Sequence, residues 1–593
     1  MGKASEDAGA EILEGPWNPG LNSSIPRRFL HLSTMFRPEN VFTSLAEAED
    51  LSDFTGIAPK DLVVFRPERL VVHELLIRIM ADVSVPDGSH YGDLGINFRQ
   101  YSDAVLDRHI APQMDRIASE YDALSDRAGR IADNYLDSHI AAEASEPAGW
   151  WARLTGSGIQ PAKVQPSGLG AGRIRDWTDR RKETADLLEA AVLDALIRTA
   201  TAISGKHGRI LGDNDLIKRV ALTFVMNPHG SQLIGELIAP LVEAAIAAEG
   251  LRPLPIQAKP VIMNVKGASA AGKSTLRPLQ QMLAERIGVN WHDFALISPD
   301  IWRKYMLEYA SLGDAYKYAG MLTGHELEIV DRKLDRYMAE KAVAGKIPHL
   351  LIDRFRFDSF AAQPGEADGG RLLTRFGDLV YMFFVITPPE ATVERAWDRG
   401  LEYGRYKAVD DLLDHNIEAF TGMPRLFFTW ALNTSKRVHY EFLDNSVSKG
   451  ERPRTIAFGW NGEMTVFDIK RMLNIDRYAK INVDAATPDE VYEVEASLAP
   501  EENSRFLTDC AAKLSVLTLA QRETGKTYAE IREGKPAWVD SELLAEQCAD
   551  SDVRAGLTAL LGTEYMKTSL NPEKTRTLNP AACHTLGRWG SGA

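Results

Sequence analysis

The chain has 593 residues, 45% hydrophobic and 25% charged, with a formal net charge of −15. That length exceeds one core and points to three or four domains, and the acidic balance weighs against nucleic acid as the dominant partner while leaving room for a local basic cleft. Three scattered cysteines (Cys510, Cys548, Cys583), an acidic N-terminus without an apolar core, and no long uncharged apolar run argue against a disulfide scaffold, a secretory signal and a membrane span, so a cytoplasmic protein is expected.

Residues 1 to about 100 mix short apolar runs, "DLVVF" and "RLVVHELLIRIMADV", with proline and glycine and carry no usable motif. From Ile110 the spacing of Met114, Ile117, Tyr121, Leu124, Ala128, Ile131 and Tyr135 predicts one apolar face of a long helix, with Pro112 tolerated in its first turn. The Gly/Pro/Ser-rich stretch 146–172 reads as a linker. Helical periodicity returns in "RRKETADLLEAAVLDALIRTATAI" and "SQLIGELIAPLVEAAIAAEG", and a second linker, "LRPLPIQAKP", follows. This divides the first half into a mainly helical domain, 1–150, and a linker and helical region, 151–255.

The stretch "VIMNVKGASAAGKSTL", 261–276, reads as an apolar strand, a glycine-bounded turn and a helix start. Gly267, Ala268, Ser269, Ala270, Ala271, Gly272, Lys273 and Ser274, followed by Thr275, fit G-x-x-x-x-G-K-[ST] at every fixed position. In such a loop the glycines let successive N–H groups turn inward onto a phosphate chain, and the helix adds its positive end. Lys273 would reach the β- and γ-phosphates and the Ser274 hydroxyl would meet Mg²⁺, so ATP and Mg²⁺ are the expected ligands.

Beyond the loop, strand-like "FALIS", "HLLID" and "LVYMFFVIT" alternate with helical "DIWRKYMLEYA", "HELEIVDRKLDRYMAEKAVAGK" and "PEATVERAWDRG". That alternation implies βαβ units and a parallel, doubly wound sheet. "VHYEFLD" and "RTIAFGW" are the last expected strands, closing a domain at 256–462; residues 463–593 are expected to be mainly helical, with a loosely structured end. The predicted fold is therefore an α/β P-loop kinase with mainly helical flanking domains.

A phosphate loop binds; other residues must present an acceptor. Asp300, in "SPDIWR", follows the second strand at the carboxyl edge of the sheet, where it could take or orient the proton of an attacking hydroxyl, or instead cap the next helix. Arg303, one turn on, could hold an anionic part of the acceptor. Arg395 and Arg399 share a helix face, with Arg405 following, and suit a lid that neutralises the transferred phosphoryl group, unless they are solvated partners of Glu394 and Asp398. Asp353 ends the third strand where a carboxylate reaches Mg²⁺, and Arg354, Arg356 and Asp358 follow where an acceptor could lie.

The order strand, "GASAAGKST", strand, S-P-D-x-x-R, helix, h-h-h-D, strand, R-x-x-x-R helix and late "FLDNS" resembles the zeta-toxin-like group of P-loop kinases over residues 258 to 460. The D-x-x-R after the second strand is also similar to that of polynucleotide 5′-hydroxyl kinases. One departure is Arg-Phe-Arg after the third strand, where that group commonly has a small Gly-Thr-type turn. The resemblance implies Asp300 as catalytic base, Arg395 and Arg399 as lid arginines, and Lys273 and Ser274 on phosphate and Mg²⁺. The expected activity is transfer of the ATP γ-phosphoryl group to a hydroxyl of a small molecule, a nucleotide sugar among the candidates. The alternatives are a polynucleotide 5′-hydroxyl kinase, using basic stretches such as "RIRDWTDRRK", and a nucleotide-gated regulatory or scaffold protein whose helical flanks carry the function.

Overall fold

The strand-forming segments come together in one sheet. In the computed structural model, which describes residues 14–90, 92–144, 169–354, 373–492, 498–571 and 574–590, the strands are β1 Val261–Lys266, β2 Phe294–Ile297, β3 His349–Asp353, β4 Leu379–Ile386, β5 Arg437–Asp444, β6 Arg454–Trp460, β7 Glu463–Val466, β8 Val516–Ala520, β9 Thr527–Arg532 and β10 Lys535–Val539. Among the described residues these ten form a sheet in the order β10-β9-β8-β7-β6-β5-β4-β1-β3-β2.

The β2-β3-β1-β4-β5 half is parallel throughout. Its strands are covered on both faces, which is why they read as continuous apolar runs: every residue of β1 is buried, as are all but the first of β4. The chain leaves β1 for the β2/β3 side and then crosses back to β4, so strand order reverses at the carboxyl end of β1. An open α/β sheet has its natural crevice there.

The expectation of a wholly parallel sheet is corrected in the other half. β6 pairs antiparallel to β5, β7 to β6, β9 to β8 and β10 to β9, with only β7 and β8 parallel. Two-residue turns account for two of these pairs. Asn461-Gly462, with Gly462 at φ 71°, joins β6 to β7, and Glu533-Gly534, with φ 47° and 76°, joins β9 to β10. Such turns permit hairpins and exclude the crossover that parallel neighbours require. Residues after 462 are accordingly mixed rather than mainly helical. They extend the same sheet, and one continuous set of buried apolar side chains runs from Met35 to Leu586.

The expected loosely structured end is also corrected. Leu586 and Gly587 donate their N–H groups to the buried carboxylate of Glu441 on β5 at 2.6 and 3.0 Å, and the Trp589 ring packs against Phe467 and Phe458 at 4.7 and 5.9 Å between centroids.

In the first half, helix Met114–Ala144 buries Ile117, Tyr121, Leu124 and Ala128 as its spacing predicts. It begins later than expected, because Pro112 falls in a separate 3-10 turn, Ala111–Gln113. Most of the expected linker at 146–172 lies outside the described residues; helix Leu169–Glu183 starts within its last residues. Helix Pro67–Asp82 is buried on all sides, so its sequence shows no amphipathic stripe. Among the described residues one continuous helical stretch, Asn214–Ala248, is long and apolar enough to cross a membrane by length and composition alone. Within it Ile234, Ile238, Val242 and Ala245 are buried along one face.

Candidate active site

The loop between β1 and the next helix is held in shape from the ends of β4 and β5. The Ala271 carbonyl accepts two hydrogen bonds, from Thr387 Oγ1 at 2.9 Å and Asn445 Nδ2 at 2.8 Å. The Asn445 N–H in turn donates to Ile386 O at 2.8 Å, locking the two brackets to each other. The two motif glycines serve different ends. At Gly267 a Cβ would lie 2.9 Å from the Val385 carbonyl oxygen, so that position demands close approach to β4. Gly272 sits at φ 92°, where side chains are disfavoured, and a Cβ there would lie 2.3 Å from Asn445 Nδ2. Ala270, at φ 59°, supplies a further left-handed residue. A 3-10 turn, Lys273–Leu276, intervenes before helix Arg277–Arg286, so the α-helix begins later than the motif suggests.

Lys273 folds over its own loop, donating from Nζ to Gly267 O at 3.1 Å and Ala268 O at 2.9 Å. Burial holds its ammonium below the usual lysine value, against the opposing pull of Asp353 and Asp300. Asp353 pairs in register with Val265 of β1, at the same sheet edge, and its carboxylate stands 4.0 Å from Arg277 Nη2. Ser274 is half-buried in the turn and Thr275 is exposed, its hydroxyl donating to Gly272 O at 2.7 Å. Among the described residues no three His, Cys, Asp or Glu side chains gather as a metal cluster. Ser274 and Asp353 are hard-oxygen donors, of the chemistry that would suit Mg²⁺ shared with a polyphosphate.

Asp300 lies in a 3-10 turn, Pro299–Trp302, directly after β2, and no side-chain cap bond is made there. Its carboxylate is clasped instead by two guanidinium groups. Oδ1 accepts from Arg303 Nε at 3.0 Å and Oδ2 from Arg405 Nη2 at 2.6 Å. Crowding around the half-exposed carboxyl pushes its pKa up, but Arg405, Arg303 and Arg399 more than reverse this and hold it well below the usual carboxylate range. Arg303 is itself anchored by donating from Nη1 to Gly320 O and to Thr323 Oγ1, the latter at 3.0 Å.

The two arginines of helix Pro389–Tyr403 part company. Arg399 acts electrostatically on both Asp300 and Lys273, lowering the pKa of each. Arg395 is engaged elsewhere: its Nη2 donates to Asn445 O at 2.7 Å and Val447 O at 2.9 Å, steadying the segment that brackets the loop after β1. Arg354 is tied to Asp331 and Asp335 of helix Gly324–Val343, at 2.7 Å for Asp335; Arg356 and Asp358 lie outside the described residues.

Four residues that no fixed motif position marks contribute here. Lys266, fully buried at the end of β1, donates to Arg354 O at 3.1 Å and is held far below the usual lysine value, by burial first and then by Arg354 and Lys273. Lys407 contacts His415 and stands 3.3 Å from Asp411, with burial lowering its pKa to about 8. Thr387 and Asn445 shape the loop from strands whose sequence carries no separate phosphate-binding signal; "FLDNS" was the one trace of Asn445. Against protein-family models, curated proteins and solved structures, the chain finds no match.

Proposed function

We propose that this chain is an ATP-dependent phosphotransferase of the P-loop kinase type, moving the γ-phosphoryl group to a hydroxyl of a small molecule. The observation that carries the reading is the convergence on Asp300: Arg303 and Arg405 bond to it, while Arg399 acts on it and on Lys273 together. A glycine-bounded loop leaving the central strand at the point where strand order reverses supports the nucleotide half of the proposal.

The residues divide the work as follows. Lys273 exchanges its bonds to Gly267 O and Ala268 O for phosphate oxygens, a trade from carbonyl dipoles to full negative charge. Ser274 and Asp353 would hold Mg²⁺, which when bound supplies neutralising charge between the phosphates. Asp300 stays ionised across the physiological range, so its role is chiefly to orient the acceptor hydroxyl in line and accept its proton late, rather than to act as a strong base. Arg303, Arg399, Arg405 and Lys407 give the acceptor side a cationic wall, which favours an acceptor that carries negative charge, a nucleotide sugar among them.

The test is transfer of labelled phosphate from ATP to a panel of nucleotide sugars, neutral polyols and 5′-hydroxyl oligonucleotides, with an acceptor-free reaction alongside. Transfer to a small hydroxyl compound that disappears in Lys273→Ala supports the reading. Transfer to oligonucleotides alone, or ATP hydrolysis with no transfer to any acceptor, overturns it.

A further inference from the structure

The helical first half of the chain reaches the candidate site through a buried polar seam. Arg69, on helix Pro67–Asp82, makes a bidentate pair with Glu326, Nε to Oε1 at 2.5 Å and Nη2 to Oε2 at 2.7 Å. Its Nη2 also donates to the Met306 carbonyl at 3.1 Å. His73, one turn further on, contacts Glu326 Oε1 through Nε2 at 2.6 Å, and its Nδ1 stands 3.0 Å from Lys333 Nζ. An ammonium can only donate, so Nδ1 accepts and Nε2 carries the proton toward the carboxylate. His73 is thus neutral; burial, then Lys333, lowers its pKa to about 4.

What matters is where these bonds end. Met306 closes the short helix Arg303–Met306. Glu326 lies in the first turn of helix Gly324–Val343, three residues beyond Thr323, and Gly320 and Thr323 are the acceptors that anchor Arg303. One guanidinium therefore links both segments that hold Arg303, and Arg303 holds Asp300. From the same N-terminal half, Ser33 Oγ and Thr34 N donate to Leu322 O at 3.1 and 3.0 Å, gripping the second segment again. Packing alone does not require this arrangement, since apolar side chains of similar volume stabilise a buried interface as well as or better than an ion cluster. What the cluster adds is a fixed direction, through bonds to one main-chain carbonyl and one carboxylate.

We infer that helix Pro67–Asp82 is a positioning element of the transfer site, with Arg69 setting the frame that aims Arg303 at Asp300. This rests on the proposed function for its catalytic consequence but not for its structural one. Arg69 touches no reacting group; it is a positioning residue, and the N-terminal half is a component of the site rather than an appended domain.

The experiment uses the full chain carrying Arg69→Lys, in which a charge still faces Glu326 but the fork to Met306 O is lost, and Arg69→Met/Glu326→Met, which removes the charged pair together. Amide hydrogen exchange is read over 300–306 and 320–323 and over the phosphate loop, with Mg·ATP affinity by calorimetry and turnover of ATP with water as acceptor. The expected result is exchange about tenfold faster in the two segments, the loss of roughly one hydrogen bond, with the phosphate loop and ATP affinity unchanged and turnover reduced by a similar factor at constant KM for ATP. Unchanged protection at 300–306 and 320–323, or acceleration spread evenly over the chain, overturns the inference. If the double variant does not fold, Arg69→Lys decides. A wild-type chain that binds no ATP would sink the proposed function, yet the exchange comparison would still read the positioning.

Discussion

Arg405 donates to Asp300 at 2.6 Å across 105 positions of sequence, so the segment after helix Pro389–Tyr403 is fastened directly to the turn after β2. The other carboxylate oxygen is taken by Arg303, three residues away. Under the proposed function, an acceptor hydroxyl reaching Asp300 would displace or share one of these bonds, which would make the Arg405 contact a reporter of acceptor entry.

Asp300→Asn is expected to lower phosphoryl transfer by roughly 10²- to 10⁴-fold while shifting the melting temperature little, because half-exposed ion pairs contribute modestly to stability. The pH dependence follows from the direction of the shift. A carboxyl whose folded pKa is depressed stays ionised as pH falls, and its stabilising effect is lost only as pH drops through that low folded value. A wild-type rate profile should therefore show no acid limb due to Asp300 between pH 5 and 7. An Asp300→Asn protein that transfers phosphate at the wild-type rate would remove the residue from the chemistry.

Arg395→Ala and Arg399→Ala should behave differently although they stand four apart on one helix. Arg399 acts on Asp300 and Lys273, so its loss should appear in kcat with ATP affinity nearly kept. Arg395 holds the carbonyls of Asn445 and Val447, so its loss should loosen the loop bracket and weaken ATP binding. Steady-state kinetics with calorimetry separates the two; identical effects on kcat alone would contradict this division.

Asn445→Ala removes one of the two donors to the Ala271 carbonyl and leaves Thr387 in place. Losing one such bond is worth about 1 kcal/mol, so ATP affinity should fall several-fold without global unfolding. Asn445→Ala/Thr387→Val, with neither donor, should lose clearly more than the single variant. Calorimetric affinities that match wild type in both would show that the loop holds its shape unaided.

Glu441 gives a second pH effect of opposite sign. Burial raises its pKa to about 7, even though Leu586 N, Gly587 N and Thr455 Oγ1 all donate to it. A group with a raised folded pKa contributes its full stability below the unfolded value near 4 and loses it as pH rises through 7, a span worth roughly 3 kcal/mol. Amide exchange at 585–589, corrected for intrinsic rate, should thus accelerate as pH goes from 5 to 8. A flat corrected profile would mean that Glu441 titrates with the tail still docked.

The sequence by itself determined what is local. The loop from Gly267 to Thr275, the buried strands β1 to β6 and the helix periodicities were legible because each is written in contiguous residues: a motif of fixed spacing, a run covered on both faces, a repeat near 3.6. Even these two hairpins are written locally, as Asn461-Gly462 and Glu533-Gly534. Only the tertiary structure decided which side chains meet. Nothing in the spacing of Arg395 and Arg399 tells that one acts electrostatically on Asp300 while the other bonds the main chain after β5, since that depends on how the helix is rotated against the sheet. Nothing near Asp300 announces Arg405, and nothing near Arg303 announces Arg69, because partners 105 and 237 residues from their contacts are chosen by the packing of whole elements. Helix Pro67–Asp82 carried no motif for the same reason: it is enclosed on every side, so neither a polar face nor an apolar stripe marks the four polar residues it directs inward.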